Sequence, residues 1–346
     1  MKQRHKALSP GALEQELLKK EEKEQLEGLI KRTQETLGAD LANATHQAYG
    51  SDWRDFQLFC TSLLQPCLPA NAETVILYIQ HMADNRLKLN TIRRRLAAVR
   101  YYHFESDYDS PTENPLAKKM INAISRQLGY QLEQKQALHV DHLKQMIDLM
   151  DIKNLTHLRD RAMLLLGFAG GFRRSEVIQL RIEHLHFVGL NLRVHLSRSK
   201  TDQMGQGLDK PILGEADSVY CPVTAVKEWL QVSGMKTGYI FRRIRRGQTL
   251  NLAEDRPLSA VAYANCIKYY ANQIGLDPRQ LSGHSLRSGF VTSAALTGKD
   301  ALHIADVTKQ DIRTVQRYMR KAKMFEQHAG EGLLAEKDKN STTTNL

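Results

Sequence analysis

Cysteine is scarce in this chain of 346 residues. Cys60, Cys67, Cys221 and Cys266 are the only four, no two form a C-x-x-C pair, and no histidine cluster completes a zinc set. That excludes a disulfide scaffold and a zinc module, and points to reduced thiols in a reducing compartment. Long apolar runs are missing too, so no membrane span is expected. Met1 to Pro10 is polar and basic without an apolar h-region, so a secretory signal is not expected and a cytoplasmic location is. There is no Walker A sequence and no clustered Asp/Glu set, so neither nucleotide chemistry, nor a divalent metal, nor any other cofactor is expected. Internal repeats are absent.

What is abundant is positive charge. The formal net charge is +11, from 49 Lys+Arg against 38 Asp+Glu. Residues 1–136 are nearly balanced, with 19 basic against 17 acidic side chains, while the remainder holds 30 against 21. A basic balance concentrated in the C-terminal half favours a polyanionic partner, nucleic acid first. The length allows two domains, each with its own core.

Read in order, residues 9–37 form a charged helix opened by Ser9-Pro10 and carrying a partial leucine stripe, a solvated face or a protomer–protomer helix. Large residues at Tyr49, Trp53, Phe56, Phe59 and Cys60 recur at helical spacing and predict an amphipathic helix. A second helix is expected over 72–83 and a third from a cap at Asn90-Thr91. In the third, Ile92, Leu96 and Val99 face a core while Arg93, Arg94, Arg95 and Arg100 project outward, able to neutralise backbone phosphates. Another helix is expected over 116–128. The polar run Gly129–Gln136 reads as a linker, where Lys135 can touch phosphate.

Beyond the linker, helices are expected near 140–151, 157–169 and 174–180, the last with Ser175 as a possible N-cap. Alternation over 184–196 predicts a β-hairpin, with residues 210–213 as a third strand. A helix from Cys221-Pro222 runs to Val232, and Arg242-Arg243-Ile244-Arg245-Arg246 forms a dense basic loop expected to face a polyanion. Further helices are expected near 259–274, 285–297, 300–306 and 311–321. The tail, Phe325 to Leu346, has one apolar cluster at Leu333 and Leu334 and then a polar run that reads as disordered.

Three pieces carry chemistry. Gly170-Gly171-Phe172-Arg173-Arg174-Ser175-Glu176 places a guanidinium at a helix break. His284-Ser285-Leu286-Arg287 offers an imidazole and a second guanidinium three positions apart. Tyr318 follows in a helix crowded with Arg313, Arg317, Arg320, Lys321 and Lys323. Cationic clusters suit a phosphate, and a phenol beside one can be a nucleophile.

Together, Gly-x-Arg-x-Ser-Glu, His-x-x-Arg and a late Tyr in that order resemble the tyrosine recombinases, the phage integrase family, over about residues 40–325. The resemblance implies a mainly helical fold with a small β-hairpin or three-stranded sheet, arranged as a two-domain DNA clamp. Its parts would be an N-terminal extension (1–38), a helical core-binding domain (39–130), a linker (131–136), a catalytic domain (137–325) and a tail (326–346). It also implies catalytic roles for Arg173, Glu176, Lys200, His284, Arg287 and Tyr318. Lys200 matches the lysine between the second and third strands; Lys210 is less well placed, and Arg198 is a phosphate contact. The DNA-facing set is Arg93, Arg94, Arg95, Arg100, Lys135, Arg198, Arg242, Arg243 and Arg245. The implied partner is double-stranded DNA with an inverted-repeat target, bound by a homotetramer on two sites. One departure stands out: the family's usual His or Trp nine residues before the nucleophile is Lys309 here, whose ammonium is also a donor. The alternatives are a type IB topoisomerase-like strand transferase and a regulator that binds DNA without chemistry.

Overall fold

The computed structural model describes residues 43–128, 135–197 and 207–324. The expectations for the N-terminal helix, the linker up to residue 134, Arg198, Lys200 and the tail lie outside these residues. The chain divides into two compact units, Met1–Leu132 and Glu133–Leu346.

The first unit is helical: α1 (Asn43–Ser62), α2 (Ala72–Asp84), α3 (Leu89–Phe104) and α4 (Pro115–Leu128). The 3–4 spacing in α1 brings Trp53, Phe56 and Cys60 to one face, where they meet Tyr78, Ile79 and Met82 of α2 and Ile92, Leu96 and Val99 of α3. The Trp53 ring stacks on Tyr102 with centroids 4.7 Å apart. Asn71 caps α2 by accepting the Thr74 amide at 2.7 Å. The cap expected for α3 at Asn90-Thr91 is displaced: α3 begins at Leu89, and Lys88 stands at the cap position and makes no side-chain cap bond. His103 is fully buried and bridges elements. Its Nδ1 bonds Val99 O at 2.8 Å, so Nε2 is the acceptor for the Ala70 amide at 2.9 Å. Burial holds its pKa below the usual value, in keeping with a neutral ring.

In the second unit, α5 (Val140–Asp148), α6 (Leu155–Ala169) and α7 (Arg174–Gln179) precede strands β1 (Leu185–Val188), β2 (Asn191–Leu196) and β3 (Leu208–Ile212). There follow α8 (Pro222–Ser233), a short hairpin β4 (Ile244–Arg245) and β5 (Thr249–Leu250), α9 (Ala260–Gln273), α10 (Ser285–Leu296), α11 (Ala301–Thr308) and α12 (Ile312–Ala322). The β1-β2-β3 sheet is antiparallel, with Val194 opposite both Leu185 and Lys210. Helix α6 is the central post: every residue from Leu158 to Phe168 is buried. Its charged members are consumed internally, Arg159 by Asp160 at 2.6 Å and Arg161 by the carbonyl of Val219 at 2.7 Å and by Glu228. A second, smaller apolar cluster joins Val291 and Ala295 of α10, Ile304 of α11 and Val315 of α12, with Tyr318 packed at its edge. That cluster fixes the helix bearing the phenol against the helix bearing Arg287.

Among the described residues, no helix is long and apolar enough to cross a membrane, and no group of His, Cys, Asp or Glu is arranged to hold a metal ion.

Candidate active site

The site is built on the turn that ends α6. Gly170 caps the helix, and Gly171 takes a left-handed φ of +50°. Space as well as conformation demands glycine here. A Cβ on Gly171 would lie 2.7 Å from Thr308 Cγ2, and one on Gly170 would lie 2.1 Å from the Phe172 ring. The turn is thus pressed against the buried end of α11 and delivers Arg173 at a fixed place.

Arg173 itself, and not Ser175, is the cap of α7. Glu176 sits at the third helical position and turns back on it. One carboxylate oxygen accepts the Arg173 amide at 2.8 Å, and the other accepts Arg173 Nη1 at 2.7 Å. Glu176 is buried, so a single carboxylate fixes both the backbone and the guanidinium of the same residue.

Helix α10 supplies the second pair. His284 is its exposed first cap, and Arg287, one turn on, is 1% exposed. Arg287 Nη1 donates to the Gly171 carbonyl at 2.5 Å. Its Nε and Nη2 are buried without a partner among the described residues. A buried guanidinium with two open donor groups is poised for an anion, since leaving such donors unmet is costly. Burial, then the Arg173 charge, lowers the Arg287 pKa to about 10, while Glu176 and Tyr318 act in the opposite sense. His284 is pushed below the usual imidazole value by desolvation, then by Arg287 and Arg173. Arg173 is bonded to Glu176, Arg287 holds the carbonyl two residues before Arg173, and the helix of Tyr318 packs on the helix that carries His284 and Arg287, so the five residues lie in one region. Tyr318 is half-buried and lines a cavity of about 300 Å³ with Lys135, His139, Thr292 and Lys321.

Lys309 ends α11 in the left-handed conformation, φ +52°, unusual for a residue with a Cβ. Its Nζ donates to Asp306 at 2.6 Å, and it is partly exposed. Lys210 is less well placed than Lys200 for the lysine between the second and third strands. Alternation in β3 turns Lys210 and Ile212 inward, and Lys210 is 1% exposed, with Nζ 2.7 Å from the Gly170 carbonyl. The signal was available in Leu208-x-Lys210-x-Ile212, where a lysine occupies an inward strand position.

The basic residues outside this cluster divide sharply. Arg93 and Arg243 are exposed and have no partner among the described residues. Arg94 makes a two-pronged bond to Asp52 at 2.8 and 3.0 Å, Arg95 pairs with Asp55 at 2.5 Å, and Arg100 pairs with Glu113 at 2.9 Å. The outward projection expected of Arg95 is therefore corrected: it lies back against α1. Arg242 is corrected more fully. It is 4% exposed and donates to the carbonyls of Thr237, Tyr239, Leu252 and Glu254, so it ties its own loop together and faces no solvent. Arg245 pairs with Glu254 at 3.1 Å. Lys135 reaches the Arg279 carbonyl at 2.6 Å.

With this geometry in place, comparison with known proteins is direct. Residues 136–324 match the phage integrase family, and residues 36–105 match the phage integrase N-terminal SAM-like domain. An integrase/recombinase xerD homolog of Selenomonas ruminantium is 34% identical over 317 residues, spanning 90% of this chain and 92% of that protein. A tyrosine recombinase XerD of Halalkalibacterium halodurans is 24% identical over 289 residues, spanning 80% and 87%. In fold, the chain resembles the Tn1549 transposon integrase in complex with transposon right-end DNA, with TM-score 0.56, 14% identity and coverage of 83% and 92%. It likewise resembles a lambda integrase dimer bound to a core site, with TM-score 0.55, 13% identity and coverage of 91% and 99%. The family match across more than half the chain and the 34% identical relative lead to one conclusion: this protein belongs to the phage integrase family of tyrosine recombinases.

Proposed function

We propose that the protein is a site-specific recombinase that cuts and rejoins DNA through a 3′-phosphotyrosyl intermediate at Tyr318. The observation that carries the reading is the buried Arg287, whose Nε and Nη2 have no partner among the described residues, held beside the Arg173 turn on the helix that packs against that of Tyr318. Tyr318 Oη attacks a DNA phosphate, the P–O bond to the 5′-oxygen breaks, and a free 5′-hydroxyl leaves. The ester bond is conserved in the protein–DNA link, so no nucleotide is consumed. Arg173 and Arg287 bind the non-bridging oxygens as charge builds. Glu176 orients Arg173 and transfers no proton. His284, kept neutral by its surroundings, manages the phenol proton and hydrogen-bonds the phosphate. Lys200 donates a proton to the leaving 5′-oxygen, and Lys309 adds a donor to the phosphate. Attack by the 5′-hydroxyl of a partner strand exchanges strands, and two rounds pass through a Holliday junction.

Recombination of two duplexes calls for four protomers on two inverted-repeat sites, in the cytoplasm where phage, plasmid or chromosomal DNA is found. Both units, residues 39–130 and 137–325, contact the duplex, with residues 1–38 and 326–346 as extensions and 131–136 as the joint. Arg93 and Arg243 are the leading phosphate contacts, joined by Arg94, Arg100, Lys135, Arg198 and Arg245. The relatives are integrases and recombinases by name, which disfavours the topoisomerase and non-catalytic alternatives.

The test begins with sequencing DNA covalently trapped on the protein, which should return an inverted repeat. A plasmid carrying two such repeats should recombine in EDTA without ATP. Relaxation of a one-site plasmid with no recombinant product would instead support the topoisomerase alternative.

A further inference from the structure

Lys210 is one of the largest fully buried side chains among the described residues, and it is basic. Strand β3 carries it to the underside of the turn that delivers Arg173. Its Nζ donates to the Gly170 carbonyl at 2.7 Å and lies 4.6 Å from the centre of the Phe172 ring. Arg287 holds the next carbonyl, that of Gly171. Two consecutive backbone carbonyls are thus gripped by two buried cations arriving from different elements, β3 and α10. The turn between them admits no side chain: a Cβ on Gly171 would meet Thr308 and one on Gly170 the Phe172 ring.

We propose that Lys210 is a positioning residue of the strand-transfer site: with Arg287 it pins the Gly170-Gly171 turn and so sets where Arg173 meets the scissile phosphate. This rests on the strand-transfer reading above. It is a different task from proton donation to the leaving oxygen, because Lys210 is spent on a carbonyl beneath the turn.

The surroundings make this grip responsive to the phosphate. Facing Lys210 are Glu176 from α7, Arg173 from the turn, Arg287 from α10 and Lys309 from the end of α11. Only Glu176 favours its charged form; burial and the three cations oppose it and bring its pKa down to about 7. A bound phosphodiester adds negative charge to the same spot. It therefore raises the Lys210 pKa, and protons are taken up on binding at pH values above about 7. The full positive charge, and the firmest hold on the turn, then arise in the complex where they are used.

Two substitutions test this, with a DNA half-site nicked so that cleavage traps the adduct. K210M fills the same buried space without charge and should cleave about 10- to 100-fold more slowly at saturating DNA, the loss expected from a misplaced transition-state donor, with half-site affinity unchanged. K210R stays charged at all accessible pH and should recover much of that rate. At pH 8, where His284 with its lowered pKa is neutral, calorimetry in buffers of different ionisation enthalpy should show proton uptake on half-site binding by wild type and none by K210R. K210M cleaving at the wild-type rate overturns the proposal. Equal proton uptake by wild type and K210R also overturns it, and that arm decides if K210M fails to fold. Absence of an adduct from wild type would count against the strand-transfer reading instead, while the proton-uptake arm still reports on Lys210.

Discussion

Replacing Glu176 with Gln isolates the step from local structure to catalysis. The wild-type carboxylate accepts two hydrogen bonds from one residue, 2.8 Å to the Arg173 amide and 2.7 Å to Nη1. A glutamine has one acceptor oxygen and must aim its own N–H₂ at the other donor. At least one charged hydrogen bond is lost, about 1.5–3 kcal/mol for a bond to an ionised group. Because Glu176 is buried, little solvent is at hand to compensate. If that loss appears in the transition state, cleavage slows by roughly 10- to 150-fold, at about 1.4 kcal/mol per factor of ten. Half-site affinity should change little, since most phosphate contacts lie elsewhere. Glu176→Gln should therefore show reduced single-turnover cleavage of a nicked half-site at saturating DNA, with Kd close to wild type. The double variant with Arg173→Ala should be no slower than Arg173→Ala alone, because Glu176 acts through Arg173. Cleavage by Glu176→Gln within twofold of wild type would refute the reasoning, as would fully additive effects in the double variant.

Other outcomes follow from the same geometry. Lys309→Ala should slow cleavage by about 30- to 1,000-fold, the usual cost of about 2–4 kcal/mol for one transition-state donor, and Lys309→His should recover part of it; an unchanged single-turnover rate would remove Lys309 from the site. Arg243→Ala should weaken DNA binding and reduce its salt dependence by about one counterion, whereas Arg242→Ala should lower the melting temperature with little change in that slope. The lowered pKa of His103 means the unfolded chain takes up its proton first, so its contribution to stability is present above the usual imidazole value near 6.5 and is lost as pH falls below it. The protection factor of the Ala70 amide against hydrogen exchange should fall over that interval in wild type, and His103→Gln should flatten the change.

The helices and the Arg173–Glu176 pair were legible because their signals are local. Trp53, Phe56 and Cys60 share a face through spacing alone, and Arg173 and Glu176 are three residues apart on one turn. The pairings that decide the basic residues are not local. Arg94 and Arg95 look like free charges in α3 until Asp52 and Asp55 arrive from α1, some 40 positions away in sequence. Arg242 stands in a dense basic run, yet folding of its loop surrounds it with carbonyls. Lys210 was visible as an inward strand position, but what it grips, the Gly170 carbonyl 40 residues upstream, is set by tertiary packing. The caps at Arg173 and Lys88 likewise escaped residue preference: Glu176 satisfies the first from inside its own helix, and Lys88 makes no side-chain cap bond.

The most direct measurement of the central claim uses a duplex nicked beside the cleavage point, so that the short fragment diffuses away and the covalent product accumulates. Wild type in EDTA should give a protein–DNA adduct, and peptide mapping should place the nucleotide on Tyr318. Tyr318→Phe should bind the same duplex and give none. An adduct formed by Tyr318→Phe, or mapped to any residue other than Tyr318, would contradict the account.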